Sequence, residues 1–194
     1  MAKLLEPFAG ENADVAAKRL IENFGSLGRA LFASPEQLID ALDLDPAIAH
    51  AMIAARELVR AGLHEQVRRT PVSIRDPAFR DYLRLLFGRS ATECLHATFV
   101  AHDWGYLADE MLTSGATTQV EGDLRRLLAR AFDVGAHGII LAHNHPSGSA
   151  EPSDEDIALT ARIAGLTQSV GIVLLDHLIV GSIDIVSMRE KGLL

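Results

Sequence analysis

The run Gly138–Ala142 (GIILA), leading straight into His143-Asn144-His145-Pro146, constrains this chain more than any other feature. A short apolar run of this kind reads as a buried strand. Strand side chains alternate faces with period two, so His143 and His145 project to the same side. Two imidazoles brought to one point are what a shared metal ion requires. Pro146 prevents ordinary continuation of a strand ladder. A Ser-Gly loop then turns the chain toward a helix beginning Ser153-Asp154-Glu155-Asp156. Ser153 is a good N-cap, and the helix dipole favours a carboxylate such as Asp156 in the first turn. A strand end thus offers two neutral nitrogens and the next helix start offers a carboxylate. Zinc held by two His and one Asp keeps an open position, which is a catalytic arrangement. Taken singly, each feature is weaker: a His-x-His in a loop is more often incidental, and an Asp in a first turn is commonly dipole compensation. Their combination at this spacing carries the reading.

The surrounding pattern suits an α/β layer protein. Residues 12 to 66 read as short helices. Leu20, Ile21 and Phe24 recur at helical spacing and Gly25 ends that helix. Ser34-Pro35 and Asp45-Pro46 each start another. Thr70-Pro71 marks a boundary, which divides the chain into a helical module over 1–70 and an α/β domain over 71–194. Beyond it, residues 78–87 and 122–134 have helical periodicity, as does 153–170. Strands are expected at 96–101, 105–108, 138–142, 172–175, 178–180 and 183–187. With 194 residues and 48% hydrophobic content, one buried core plus a small appendage is the expected scale. A single cysteine, Cys94, excludes an internal disulfide and any multi-cysteine zinc site. The N-terminus lacks the apolar core of a signal peptide, and the most apolar stretch, Gly171 to Val186, is broken by Asp176, His177 and Asp184. A cytoplasmic protein without membrane contact is expected.

The pattern His143-x-His145-x7-Ser153-x2-Asp156 resembles the JAMM motif of JAB/MPN-domain metalloproteases. The wording HNHPSG, then PS, then LLDHLIVG and a terminal GLL is closer still to the bacterial RadC family. The resemblance covers most of residues 75–194. It extends weakly into the N-terminal helices, where such proteins place a helix-hairpin-helix-like module. It implies a three-layer α/β/α JAB/MPN core, cytidine-deaminase-like, with a mixed sheet. It also implies a zinc ion on His143, His145 and Asp156, and hydrolysis of a peptide or isopeptide bond in a protein or peptide substrate. The family's upstream glutamate falls, at the family's spacing from Ala108-Asp109-Glu110, on Glu93. Glu93 is then the expected general base, with Glu110 as its rival, and Ser153 the expected hydrogen-bond donor to the developing oxyanion. His177 is expected to support the site and not to ligate.

Two departures from the family bear on partners. Its Pro-Arg-Glu motif is replaced here by Glu121-Gly122-Asp123. The hairpin glycines of the N-terminal module are replaced by Leu42-Asp43-Leu44-Asp45, where aspartates would repel phosphate. Net charge is −8, and residues 1–70 hold eight basic and ten acidic side chains. Tight nucleic-acid binding is therefore not expected, since it relies on Lys and Arg at phosphates. The N-terminal helices are expected to serve protein contact, homo-oligomerisation included. The competing class is a non-catalytic, DNA-repair-associated accessory protein with a structural or vestigial metal site. A zinc deaminase would need a P-C-x-x-C pair that one cysteine cannot supply. A HExxH protease is excluded because the string is absent.

Overall fold

The computed structural model describes residues 2–42, 46–87, 90, 92–114 and 120–194, without the side chains of 113–114 and 120–122. Its contacts divide the chain into two compact units, Met1–Gly62 and Leu63–Leu194. The division falls eight positions before the Thr70-Pro71 boundary expected from the sequence, inside a helix.

The first unit is helical. It comprises α1 (Ala2–Ala9), a single 3-10 turn (Gly10–Asn12), α2 (Ala13–Phe24), α3 (Leu27–Leu31), α4 (Pro35–Ala41) and the first part of α5 (Pro46–Arg69). Gly25 ends α2 in the left-handed conformation (φ 77°), which a residue without Cβ adopts at no steric cost. Ser34 and Gln37 form a capping box at the start of α4. Leu5, Leu20, Phe24, Leu38, Leu42 and Ile48 fill one core. The helix α1 lies ahead of the expected helical stretch. Asp43 and Asp45, at the expected hairpin, lie outside the described residues.

The second unit is a three-layer α/β/α structure built on one mixed sheet of order β2-β1-β3-β4-β5. After α6 (Pro77–Phe87) come β1 (Cys94–Val100), β2 (Tyr106–Ser114), α7 (Val120–Asp133), β3 (Gly138–Asn144), α8 (Asp154–Ser169), β4 (Val173–Val180) and β5 (Ile185–Ser187). The sheet is antiparallel except for β3 and β4, which pair in parallel and are joined through α8. Parallel neighbours need such a crossover. Phe79, Tyr82, Leu83 and Phe87 of α6, with Val67 of α5, pack on one face of the sheet. Leu124, Leu127 and Ala131 of α7, with Ile163 of α8, pack on the other. Every residue of β3 is buried, as the central strand of a doubly covered sheet requires.

Two expected strands, 172–175 and 178–180, are one strand, β4. Asp176 and His177 break the apolar pattern but not the ladder, because both are hydrogen-bonded inside. Asp176 accepts from Ser187 Oγ at 2.5 Å and from the Arg189 and His177 amides at 3.1 and 2.7 Å. The strand expected at 105–108 continues to Ser114. No helix among the described residues is long and apolar enough to cross a membrane.

A second, partly buried polar cluster ties the α6 layer to the sheet edge. Asp109 accepts from the hydroxyl of Tyr82, from Tyr106 Oη at 2.7 Å and from His96 Nε2 at 3.1 Å. His64 Nε2 bonds Tyr106 Oη at 2.9 Å. Burial by itself would raise the Asp109 carboxyl. The His96 contact and the two tyrosine hydroxyls outweigh it and hold the group well below the usual carboxylate range. A carboxyl with a depressed folded pKa contributes its stability in full above the unfolded value of about 3.9 and loses it as pH falls below that. Asp109→Asn is therefore expected to lower stability at neutral pH and to flatten the loss of stability on acidification below about pH 4. Denaturant unfolding across a pH series measures both; an unchanged acid limb would show that Asp109 gains nothing from these partners.

Candidate metal centre

The register of β1 against β3 sets Leu95 opposite His143. The start of β1 therefore lies beside the end of β3, and the N-terminus of α8 closes the same corner. Three side chains converge there. His143 Nε2 is 2.9 Å from His145 Nε2 and 3.0 Å from Asp156 Oδ1, and His145 Nε2 is 3.1 Å from Asp156 Oδ2. Among the described residues these three form the group of ligand-type side chains whose donor atoms lie within 4.8 Å of one another. His143 and Asp156 are buried and His145 is partly open. A tetrahedral zinc with bonds near 2.05 Å separates its ligand atoms by about 3.3 Å, so the observed spacing is close to what one ion would need. Two neutral imidazole nitrogens and a carboxylate suit a borderline divalent ion.

Each donor is positioned by its own element. Asp156 is the third residue of α8, and Ser153 forms a capping box with it. The Ser153 amide and hydroxyl both donate to Asp156 Oδ2 at 2.7 Å, and Asp156 N–H donates back to Ser153 Oγ at 3.1 Å. Burial would raise the Asp156 carboxyl. The contact with His143 and the Ser153 donors outweigh it and keep the group ionised, well below the usual range. On the other side, His143 Nδ1 meets His177 Nε2 at 2.8 Å. His177 is fully buried in β4, and burial together with the neighbouring His143 lowers it to about 3, so its ring is neutral. It meets the far nitrogen of the His143 ring, not Nε2, and does not face the cluster.

Glu93 lies just ahead of β1, half exposed, with Oε1 4.0 Å from His143 Nε2. Glu110, its rival, is engaged elsewhere. It pairs with Arg126 of α7, whose guanidinium also donates to the Met111 and Leu112 carbonyls at 3.1 Å. Asn144 was not singled out by the sequence pattern, yet it holds the Glu93 segment. Its Oδ1 accepts from Cys94 N–H at 2.9 Å and its Nδ2 donates to the Thr92 carbonyl at 3.1 Å. Period two was the available signal: the residue between two same-face histidines must point to the opposite face. The loop between His145 and α8 rests on Gly181. A Cβ there would lie 2.8 Å from the Gly148 carbonyl oxygen and 2.9 Å from the Ala150 nitrogen, so only glycine admits the loop. His96 and His64 belong to the Asp109 cluster. His102 and His137 face one another, with ring centroids 4.4 Å apart.

A three-layer α/β/α fold with two histidines at a strand end and an aspartate in the next helical turn defines the class as JAB-like. Residues 74–193 match the family model described as the RadC-like JAB domain, and the chain belongs to that family. It is similar to the UPF0758 protein of Polaromonas sp. (strain JS666 / ATCC BAA-500), 36% identical over 185 residues that make up 95% of this chain and 83% of that protein. It is likewise similar to the UPF0758 protein of Leptothrix cholodnii (strain ATCC 51168 / LMG 8142 / SP-6), 38% identical over 178 residues, 92% of this chain and 80% of the relative.

The geometry makes a specific demand on the helix start. Asp156→Ala is expected to weaken divalent-metal binding by at least tenfold, while Asp154→Ala, at an exposed position one turn edge away, leaves it unchanged. Zinc titration against a chromophoric chelator reads both. Equal losses in the two variants would mean general acidity, and not the ligand set, holds the ion.

Proposed function

We propose that this chain is a zinc-dependent metallohydrolase that cleaves a peptide or isopeptide bond. The observation that carries the reading is the convergence of His143 Nε2, His145 Nε2 and Asp156 Oδ1 beside a solvent-open carboxylate, Glu93, 4.0 Å from the nearest of them. Zinc, when bound, supplies a Lewis acid that polarises a carbonyl and makes water acidic enough to lose a proton near neutrality. The remaining work falls to this chain's own groups. Glu93 accepts a proton from the attacking water and delivers it to the departing amine nitrogen as the carbonyl carbon–nitrogen bond breaks. Its half-exposed position gives it the freedom to make both transfers. Ser153 Oγ donates to the oxygen that gains charge on the carbonyl carbon. Asn144 keeps the Glu93 backbone in place through Thr92 and Cys94.

Glu93→Gln is expected to retain zinc and to lose at least about a hundredfold in hydrolysis, because an amide cannot take the proton. Glu110→Gln is expected to keep turnover. Stoichiometry by elemental analysis, beside a fluorogenic peptide and isopeptide panel, separates binding from chemistry. Full activity in Glu93→Gln with an inactive Glu110→Gln would transfer the base role to Glu110.

The partner side of the proposal is protein. The N-terminal helices serve self-association or substrate presentation, and duplex DNA binds no tighter than about 10⁻⁵ M near physiological salt, the weak part of the nonspecific range. A fluorescence titration with labelled duplex at two salt concentrations tests this. Submicromolar binding with a steep salt slope would instead support the accessory-protein reading.

A further inference from the structure

The hydrogen bonds behind the metal centre form a directed chain that runs through three buried groups. Thr160 of α8 is fully buried, and its Oγ1 lies 2.6 Å from the Asp156 carbonyl oxygen and 2.6 Å from His177 Nδ1. Met188 Sδ is a longer neighbour at 3.3 Å. A hydroxyl has one hydrogen. A carbonyl oxygen carries none, so the contact with Asp156 is bonded only if Thr160 donates to it. The hydroxyl then offers His177 a lone pair, and His177 Nδ1 must carry the hydrogen. Donation toward Met188 Sδ gives the same result. A neutral imidazole has one N–H, so His177 Nε2 is an acceptor. It faces His143 Nδ1 at 2.8 Å, which must therefore be the donor. His143 therefore carries a hydrogen on Nδ1, and Nε2, the nitrogen that points at His145 and Asp156, is the one left to take an ion.

We infer that His177 is a positioning residue that locks His143 in the Nδ1–H tautomer, and that Thr160 sets the direction of the lock. The inference rests on the proposed metal centre for its purpose, since an Nε2 lone pair is what an ion would take there. It does not rest on that proposal for its geometry. Reversing the chain at any point would take the hydrogen from His143 Nδ1 and leave a neutral ring with it on Nε2, where it would donate to Asp156 Oδ1 at 3.0 Å and block an ion. The helical carbonyl of Asp156 is the anchor: it accepts from Thr160, so the residue that supplies a ligand carboxylate also dictates, through its backbone, the tautomer of a ligand histidine.

The test uses the full chain labelled with ¹⁵N-histidine and stripped of metal with a chelator. Long-range ¹H–¹⁵N correlation spectra show which nitrogen of each ring bears hydrogen. The expected result for the unaltered chain is hydrogen on Nδ1 of both His143 and His177. Thr160→Val keeps the side-chain shape and removes the acceptor for His177 Nδ1–H. An unpartnered buried N–H is disfavoured, so His177 should move its hydrogen to Nε2, displacing the tautomer of His143. Zinc affinity by chelator competition should fall about tenfold to a hundredfold, the usual effect of losing an outer partner of a ligand histidine. Thr160→Ser should restore both the spectrum and the affinity. His177→Leu should show the same affinity loss if it folds; Thr160→Val carries the test if it does not. A His143 ring without hydrogen on Nδ1 in the unaltered metal-free chain would overturn the inference. So would a Thr160→Val protein with unchanged spectrum and affinity. An intact Nδ1–H form in a chain that takes up no zinc would support the lock and defeat the metal reading, so the two failures are distinguishable.

Discussion

Electron-pair donors aimed at one point repel one another unless a cation sits among them, and the second unit is organised around holding such donors in place. Two imidazole nitrogens and an ionised carboxylate meet within 2.9–3.1 Å. Their approach is favourable only with a proton or a cation between them. What holds them is the rigidity of the elements that carry them. His143 is in a strand paired on both sides and buried along its whole length. Asp156 is in the first turn of a helix, fixed by a capping box. His145 is the least constrained, one residue past the strand, and is also the most open of the three. Pairing with neighbouring elements falls off along the same line on which solvent access rises.

The two faces of the sheet divide the polar work, and the pleat decides which residue goes where. His96 is three positions after Glu93 in sequence, yet alternation sends it to the α6 face, where it meets Asp109. Asn144 sits between two histidines of the site and is turned away from both. From that opposite face it holds Thr92 and Cys94, and so the backbone of Glu93. A buried polar group left without partners is costly. The buried Asp176 and the partly buried Asp109 of the sheet each accept from several donors accordingly.

Local patterns in the sequence carried the parts of the site that are local. The period of a strand is enough to place His143 and His145 on one side, and the preference of a helix start for Ser and Asp is enough to place Ser153 and Asp156. Glu93 is different. Its place beside His143 depends on β1 pairing with β3 across some fifty residues, and no local rule selects that neighbour; only likeness to a family reached it. His177 and Asp176 misled the strand reading because hydropathy treats a polar residue as an interruption. The hydrogen-bond partners that make them acceptable, Thr160, Ser187 and Arg189, come from other elements. The helix α1 was not visible either: it is eight residues long with Pro7 inside, and its buried side chains are Leu5 and Ala9. Such a helix owes its existence to packing more than to periodicity.

Ser153 shows how one residue can serve both the folded state and the proposed reaction. Its hydroxyl hydrogen lies on Asp156 Oδ2 in this structure, so it is not free for a substrate oxygen. Turning it outward would ordinarily strip a buried carboxylate of a donor. Here the Ser153 amide donates to the same oxygen at the same 2.7 Å distance, and that bond does not depend on the hydroxyl rotamer. The Asp156 amide, in turn, loses at most a 3.1 Å contact at a helix start where the hydroxyl oxygen can still accept. An N-cap serine is thus suited to the proposed oxyanion role in a way that an N-cap alanine or glycine is not: its backbone keeps the Asp156 carboxylate in register while its side chain moves.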